Sequence, residues 1–290
     1  MTLPLRASVA CVALVVVDLV ARSWRLRALT AMAGHALSPL EALRVNLLAD
    51  AGAILSPMRV GGEPARVAAM AAAGMKMPAI VATIGWELAT AWPTLLGMGG
   101  LLVLVAAPSW LAAAWPVVLT RAAAAKWAML GVVALTGIAV VAAARLRRHL
   151  GSALARRMAE YAAPWREVRR GTMLLSVALS AINVASRTAL LPALATSLDA
   201  PPPVAAVWLG SFLLVYGQLI LPTPAGLGAV ELGFLGGAAG EFGDGLGVLA
   251  AWRWWGTALP ALLGILAAFQ MRAELAGIVR SGLGLRSKAG

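Results

Sequence analysis

A run of residues apolar enough to lie in a bilayer is broken at LPTPAGLGAVELG, Leu221 to Gly233, by two prolines, three glycines and a glutamate. Backbone at membrane depth leaves its helical hydrogen bonding only where protein or a wet cavity surrounds it. The break therefore marks a site. SPMRVGGEPAR, Ser56 to Arg66, has the same grammar: Pro57, then Gly61 and Gly62, then Glu63 six residues after the proline, against seven from Pro224 to Glu231.

Composition fixes the solvent around these breaks. Of 290 residues 61% are hydrophobic and 12% charged, whereas soluble domains carry roughly a quarter charged residues. The reading is an all-α, polytopic membrane helix bundle, with residues 1–290 one transmembrane domain and no length left for a separate soluble enzyme domain. The net charge of +12 falls between apolar runs, which excludes nucleic acid as a partner and suits anionic lipid headgroups. Twenty-one of the 24 basic residues are arginine, which we read mostly as compositional bias. Cys11 is alone, so neither a disulfide nor a cysteine metal site is available. His35 and His149 lie far apart, and neither is near a serine or carboxylate at the breaks. No catalytic residue, metal or cofactor is expected.

Along the chain, an apolar run over 3–21 containing Asp18 reads as a first span, ending in an Arg/Trp interfacial anchor at Arg22, Trp24, Arg25 and Arg27. Residues 39–56 read as a helix that Pro57 stops, and 64–73 as a helix too short to span, at about 15 Å against a core of about 30 Å. A long span follows over 77–106, with Glu87 inside and a kink expected at Pro93. Residues 107–170 connect the halves: an interfacial stretch at 108–121, a span at 122–144, and a loop over 145–170 with eight arginines against two glutamates. Such charge marks the cytoplasmic side. A span over 171–198 contains Asn183 and Arg187, and a helix over 204–221 breaks at Pro222 and Pro224. Residues 228–240 are again short, and the last span, 248–270, carries Arg253. The basic tail, 271–290, is expected in the cytoplasm.

With both broken elements read as re-entrant hairpins, five full spans remain, the N-terminus outside and the C-terminus inside. The first half, 1–106, and the second, 171–270, then repeat one pattern in opposite orientations: span, helix, Pro/Gly/Glu break, short helix, Trp-bearing span. Inverted halves with matching interruptions point to a transporter-like midplane site. If the helices before the breaks cross outright, the hairpins become pairs of true spans.

The candidate ligand residues lie at the breaks. Arg59 and Arg66 could hold a phosphate while Glu63 orients them, or the three could close the hairpin as an ion pair. Glu231 needs a partner through space, and Arg187 and Arg253 are the candidates. Gly61, Gly62, Gly226 and Gly228 allow either positive φ and close backbone approach or tight helix packing. Asp18, Asp50 and Glu87 rank below these.

At the breaks the chain resembles the lysylphosphatidylglycerol synthase transmembrane family of flippase-like membrane proteins. Its proline, arginine, glycine, glutamate, arginine pattern is similar to Pro57, Arg59, Gly61 or Gly62, Glu63 and Arg66. Its later PGGLG motif with a following glutamate is similar to Pro222, Pro224, Gly226, Gly228 and Glu231, with Ala225 where the family has glycine. Trp24-Arg25 also looks like the family. The resemblance covers the membrane half alone, without the synthases' soluble aminoacyl-transferase domain and with an N-terminal span expected to be missing. It implies an inner-membrane protein that binds or moves a lipid between leaflets. The lipid expected from the arginines is an anionic or zwitterionic phospholipid, or a polyprenyl-phosphate-linked sugar. The other readings are a scaffold presenting lipid to a partner transferase, and a small-solute transporter.

Overall fold

The computed structural model describes residues 4–57, 59–107, 156, 159–196, 198, 203–218, 223, 226, 228, 230 and 245–272, and every element among them is helical. Helix α1 is Leu5–Met32, α2 Pro39–Ile54, α3 Gly62–Ala72 and α4 Met77–Ala106. After a 3-10 turn at Pro164–Arg166 come α5, Arg170–Thr188, α6, Leu190–Ala195, and α7, Val204–Gly217. Helix α8, Gly245–Arg253, continues through a π-helical turn, Trp254–Ala258, into α9, Leu259–Gln270. The expected interfacial stretch, the span over 122–144, half of the basic loop, the short helix over 228–240 apart from Gly228 and Val230, and the tail beyond Arg272 lie outside the described residues.

Local chemistry sets the helix ends. Ser38 accepts from the Glu41 amide at 3.2 Å while Glu41 accepts from the Ser38 amide at 2.7 Å, a capping box with Pro39 as the first helical residue,. Helix α2 stops at Ile54 rather than at the expected 56, since a residue preceding proline is pushed out of helical geometry. Helix α1 departs further from expectation. It does not end at an interfacial anchor near Arg22 but runs on to Met32, because Arg22 and Arg25 turn inward to buried partners. It finishes in a left-handed Gly34, φ 83°, with the His35 amide donating to the Thr30 carbonyl,. Gly74 closes α3 in the same way, and His35 Nε2 meets the Ala73 carbonyl at 3.1 Å, tying the two turns together.

Packing between the halves is reciprocal. The first helix of one half, α1, lies along the first of the other, α5. The helix before the first break, α2, packs on α9, and the helix before the second break, α7, packs on α4. A side chain at Gly264 of α9 would overlap the Leu47 carbonyl of α2, and one at Gly99 of α4 would strike the Phe212 ring of α7. Small residues let membrane helices approach this closely. The α2–α3 pair uses the same device: Gly52 and Gly61 face each other, so neither tolerates a Cβ.

Buried polar side chains share the interior with the apolar core, and large apolar side chains face outward. Ser176, Ser180, Asn183 and Arg187 of α5 form a stripe at helical spacing that faces Asp18 and Arg25 of α1, or Thr90 of α4. The outer faces carry exposed Val9, Val12 and Val16 on α1, Leu101 and Leu104 on α4 and Leu174 on α5. Helix α4 and the stretch Arg170–Ala195 are each long and apolar enough to cross a membrane,.

Gly264→Ala and Gly52→Ala are expected to destabilise the folded protein by roughly 1–3 kcal/mol through overpacking. Gly97→Ala and Gly100→Ala, with open space where a Cβ would sit, should leave the melting temperature in detergent unchanged or slightly raised. Thermal melts of the four variants check the contrast.

Candidate functional site

Two buried charge clusters hold the centre of the bundle. In the first, Arg22 of α1 binds Asp50 of α2 with both arms, at 3.1 and 2.7 Å, and approaches Asp18 one turn away at 3.1 Å. Arg187 of α5 completes it, with Nε 3.2 Å from both Asp18 oxygens and a terminal nitrogen 3.4 Å from Asp50. Asn183 also donates to Asp18. In the second cluster Glu87 of α4 accepts from Arg25 on one oxygen and from Arg66 of α3 on the other. The other arm of Arg25 reaches Ser180 Oγ at 2.9 Å.

Among these seven buried or half-buried ions, three carboxylates face four guanidiniums. Arg59 adds further positive charge close by, since it borders one recess with Arg187. Among the described residues the balance is cationic, and a low-dielectric surrounding strengthens its pull on an anion.

The first break aims Arg59 into this region. Arg59 is left-handed, at φ 60°, a conformation that strains a residue with a Cβ,. The turn is held by the Ser56 hydroxyl, which accepts from the Gly61 amide at 2.7 Å and lies 3.1 Å from the Gly52 carbonyl. From there Arg59 donates to Gln218 Oε1 at 3.2 Å, joining the first break to the end of the helix before the second. Arg253 reaches the Gly226 carbonyl at 3.5 Å and stacks on Trp252, so it too touches the second break.

Arg59, Arg187, Leu190, Val215, Gln218, Trp252, Gly256 and Thr257 line a recess of about 20 Å³, room for little more than one water,. Gly256 and Thr257 belong to the π-helical turn, a distortion that recurs at functional positions. At the recess the Trp252 indole N–H is buried without a hydrogen-bond partner among the described residues, as is that of Trp255 beside the neighbouring narrow space. Such groups normally find one.

The structure places Arg59 and Arg187 at one recess, with Arg253 reaching the second break. Arg66 binds Glu87 and keeps a long ion pair, 3.9 Å, with Glu63, whose side chain is 58% exposed. Of the two roles open to the glycines, Gly61 and Gly62 serve packing: a Cβ at Gly62 would press on the Ala49 carbonyl and Ala53. Gly226 and Gly228 adopt positive φ, 68° and 82°. Pro222, Pro224 and Glu231 lie outside the described residues. The central carboxylates, Asp18, Asp50 and Glu87, ranked low in the sequence. The signal for them was the spacing of Asp18, Arg22 and Arg25, which puts three charges on one face of an otherwise apolar helix.

A model of the family described as "Lysylphosphatidylglycerol synthase TM region" matches residues 2–264. No curated protein and no solved structure gives a significant match.

Glu87→Gln leaves two buried guanidiniums facing a neutral amide and is expected to cost about 3–5 kcal/mol of stability. Glu63→Gln, at an exposed position, should stay within about 0.5 kcal/mol. Chemical denaturation in detergent separates the two.

Proposed function

Since the chain belongs to the lysylphosphatidylglycerol synthase transmembrane-region family, a membrane family linked to lipid metabolism, we propose that it binds the phosphate-bearing headgroup of a lipid between the two helix breaks and moves that lipid between leaflets. The observation that carries this reading is the recess shared by Arg59 and Arg187. A phosphate diester offers several acceptor oxygens and one negative charge. The recess offers the guanidiniums of Arg59 and Arg187 and, in the Trp252 indole, a donor without an acceptor among the described residues, and arginine's planar fork suits phosphate better than a point charge does.

The position of the recess supports translocation over static binding. It lies where the first break meets the helix before the second, so a headgroup there touches both halves at once, as in transporters built from inverted repeats. Its small volume fits a closed arrangement that must open to admit a headgroup. An anionic phospholipid and a polyprenyl-phosphate-linked sugar share the required chemistry. Glu231 has a place in this scheme as the carboxylate of the second break, exchanging with the phosphate for Arg187 or Arg253. We assign the protein to the bacterial-type inner membrane, with both breaks as re-entrant hairpins and the segment 145–170 on the cytoplasmic face.

Reconstituted in liposomes, the wild-type protein is expected to exchange a fluorescent phospholipid or a polyprenyl-phosphate sugar between leaflets. Arg59→Gln and Glu231→Gln should each slow exchange at least tenfold while the protein still inserts and melts normally. Folded wild-type protein that moves no lipid would overturn translocation in favour of a scaffold presenting lipid to a separate transferase. Exchange indifferent to Arg59→Gln would overturn the site.

A further inference from the structure

The last part of the basic loop, residues 159–170, forms a strap across one end of the bundle. Its 3-10 turn, Pro164–Arg166, rests on α4, where the Trp165 indole lies so close to Gly85 that a Cβ there would overlap it. The same ring meets Trp86 edge to face, with centroids 5.6 Å apart. The Arg169 amide donates to Met32 Sδ at 3.3 Å, so the strap bridges α4 and the end of α1. Its inner side is fixed, yet Tyr161, Trp165 and Val168 remain 42 to 45% exposed, with Arg166, Arg169 and Arg170 exposed beside them.

The depth of the strap follows from α4. Its 30 residues rise about 45 Å, well beyond a hydrocarbon core of about 30 Å,. Exposed Leu101, Leu104 and Val105 carry the lipid-facing surface to its C-terminal end. The excess, about ten residues, is therefore at the other end, and Trp165 packs on Gly85 where that excess stops,. Helix α5 agrees. Thr90 of α4 meets Ser176 of α5 at 2.7 Å, which puts Arg170 near the level of Ile84, and the lipid face of α5 begins one turn further in at Leu174, 70% exposed. On α1, Trp24 is exposed with the Arg27 guanidinium 4.9 Å over its ring. Aromatic rings and cations gathered at one depth are the mark of a membrane–water interface.

We propose that the strap is a docking surface for the anionic phospholipid headgroups of the leaflet on this side, with Tyr161, Trp165 and Val168 set into the interface and Arg166, Arg169 and Arg170 against the phosphates. It is independent of the recess at Arg59 and of any lipid the protein moves. Charge complementarity selects the occupant: at this end Arg27, Arg44, Lys76, Arg166, Arg169 and Arg170 stand against Glu41, Glu160 and Glu167, and basic segments beside a membrane are drawn to anionic headgroups. Continuity selects it too, since the exposed side chains of the strap adjoin the outward apolar faces of α4 and α5. A soluble acidic protein would match the cations but leave three apolar side chains uncovered at the lipid surface. The strap also backs onto the interior. Gly85, which Trp165 covers, is two residues before Glu87, the carboxylate that binds Arg25 and Arg66. Headgroups that hold the strap therefore brace the stretch of α4 that carries the second charge cluster.

The test uses the full chain in phosphatidylcholine vesicles with and without phosphatidylglycerol, spin-labelled at Val168→Cys. Cys11 is wholly buried and escapes the label. Accessibility to a water-soluble nickel chelate is read by electron paramagnetic resonance, and a second label at Leu174→Cys, expected to be shielded in both lipids, reports insertion. The Val168→Cys label is expected to be severalfold less accessible with phosphatidylglycerol than without. That difference should vanish at high salt and in the double variant Arg166→Gln, Arg169→Gln, whose positions are exposed and leave folding intact. Trp165→Ala should raise accessibility in both lipids. A Val168→Cys label open to the chelate in both lipids while Leu174→Cys is shielded would overturn the docking and leave the surface to a soluble acidic partner. Equal shielding in both lipids, indifferent to salt and to the arginine variants, would overturn it as well, because the rings alone would then seat the strap. Shielding unchanged by Trp165→Ala would overturn the part given to Trp165.

Discussion

The interaction on which the rest depends is the grip of Arg187 on Asp18 and Asp50. A guanidinium or carboxylate away from water is costly unless its partner and its remaining hydrogen bonds are all in place. Pairing these charges fixes three helices at once, since Asp18 and Arg22 come from α1, Asp50 from α2 and Arg187 from α5, even though Arg22 Nε has no hydrogen-bond partner among the described residues. The Glu87 cluster repeats the arrangement with α1, α3 and α4. The two clusters share α1, whose charges recur at helical spacing. Sliding α1 by one residue would strand ions in both clusters, so charge pairing sets the register that lipid-facing valines cannot set.

A protein optimised for stability alone has no reason to keep a buried indole donor unpaired, or an arginine in left-handed geometry. Trp252 and Arg59 border one recess, and that coincidence gives the headgroup reading its weight.

Much of this was legible in the sequence. Helix α4 begins and ends where the apolar run over 77–106 begins and ends, and α2 starts at the Ser38-Pro39 signal. These segments follow local rules, apolar length and capping chemistry, that act within a few residues. Arg22 and Arg25 were misread because a charged residue near the end of an apolar run looks the same whether it reaches the headgroups or a carboxylate on another helix. The partners that decide between these, Asp50 and Glu87, lie 28 and 62 residues further on. The first break was half legible. Glu63 and Arg66 are neighbours in sequence and form the long ion pair that their spacing suggests, yet Arg66 binds more closely to Glu87 because a buried carboxylate holds it better than an exposed one. The pairing of Arg59 with Gln218 across 159 positions carries no local signal.

The reciprocal packing of the halves has a mechanical consequence. The helix before each break rests on the closing helix of the other half, with glycines at Gly264 and Gly99 leaving no slack at either contact. Neither half can tilt as an independent lever, since displacing α2 moves the helix that follows the second break, and displacing α7 moves the helix that follows the first. The helices that flank the two breaks are thus geared together through their packing.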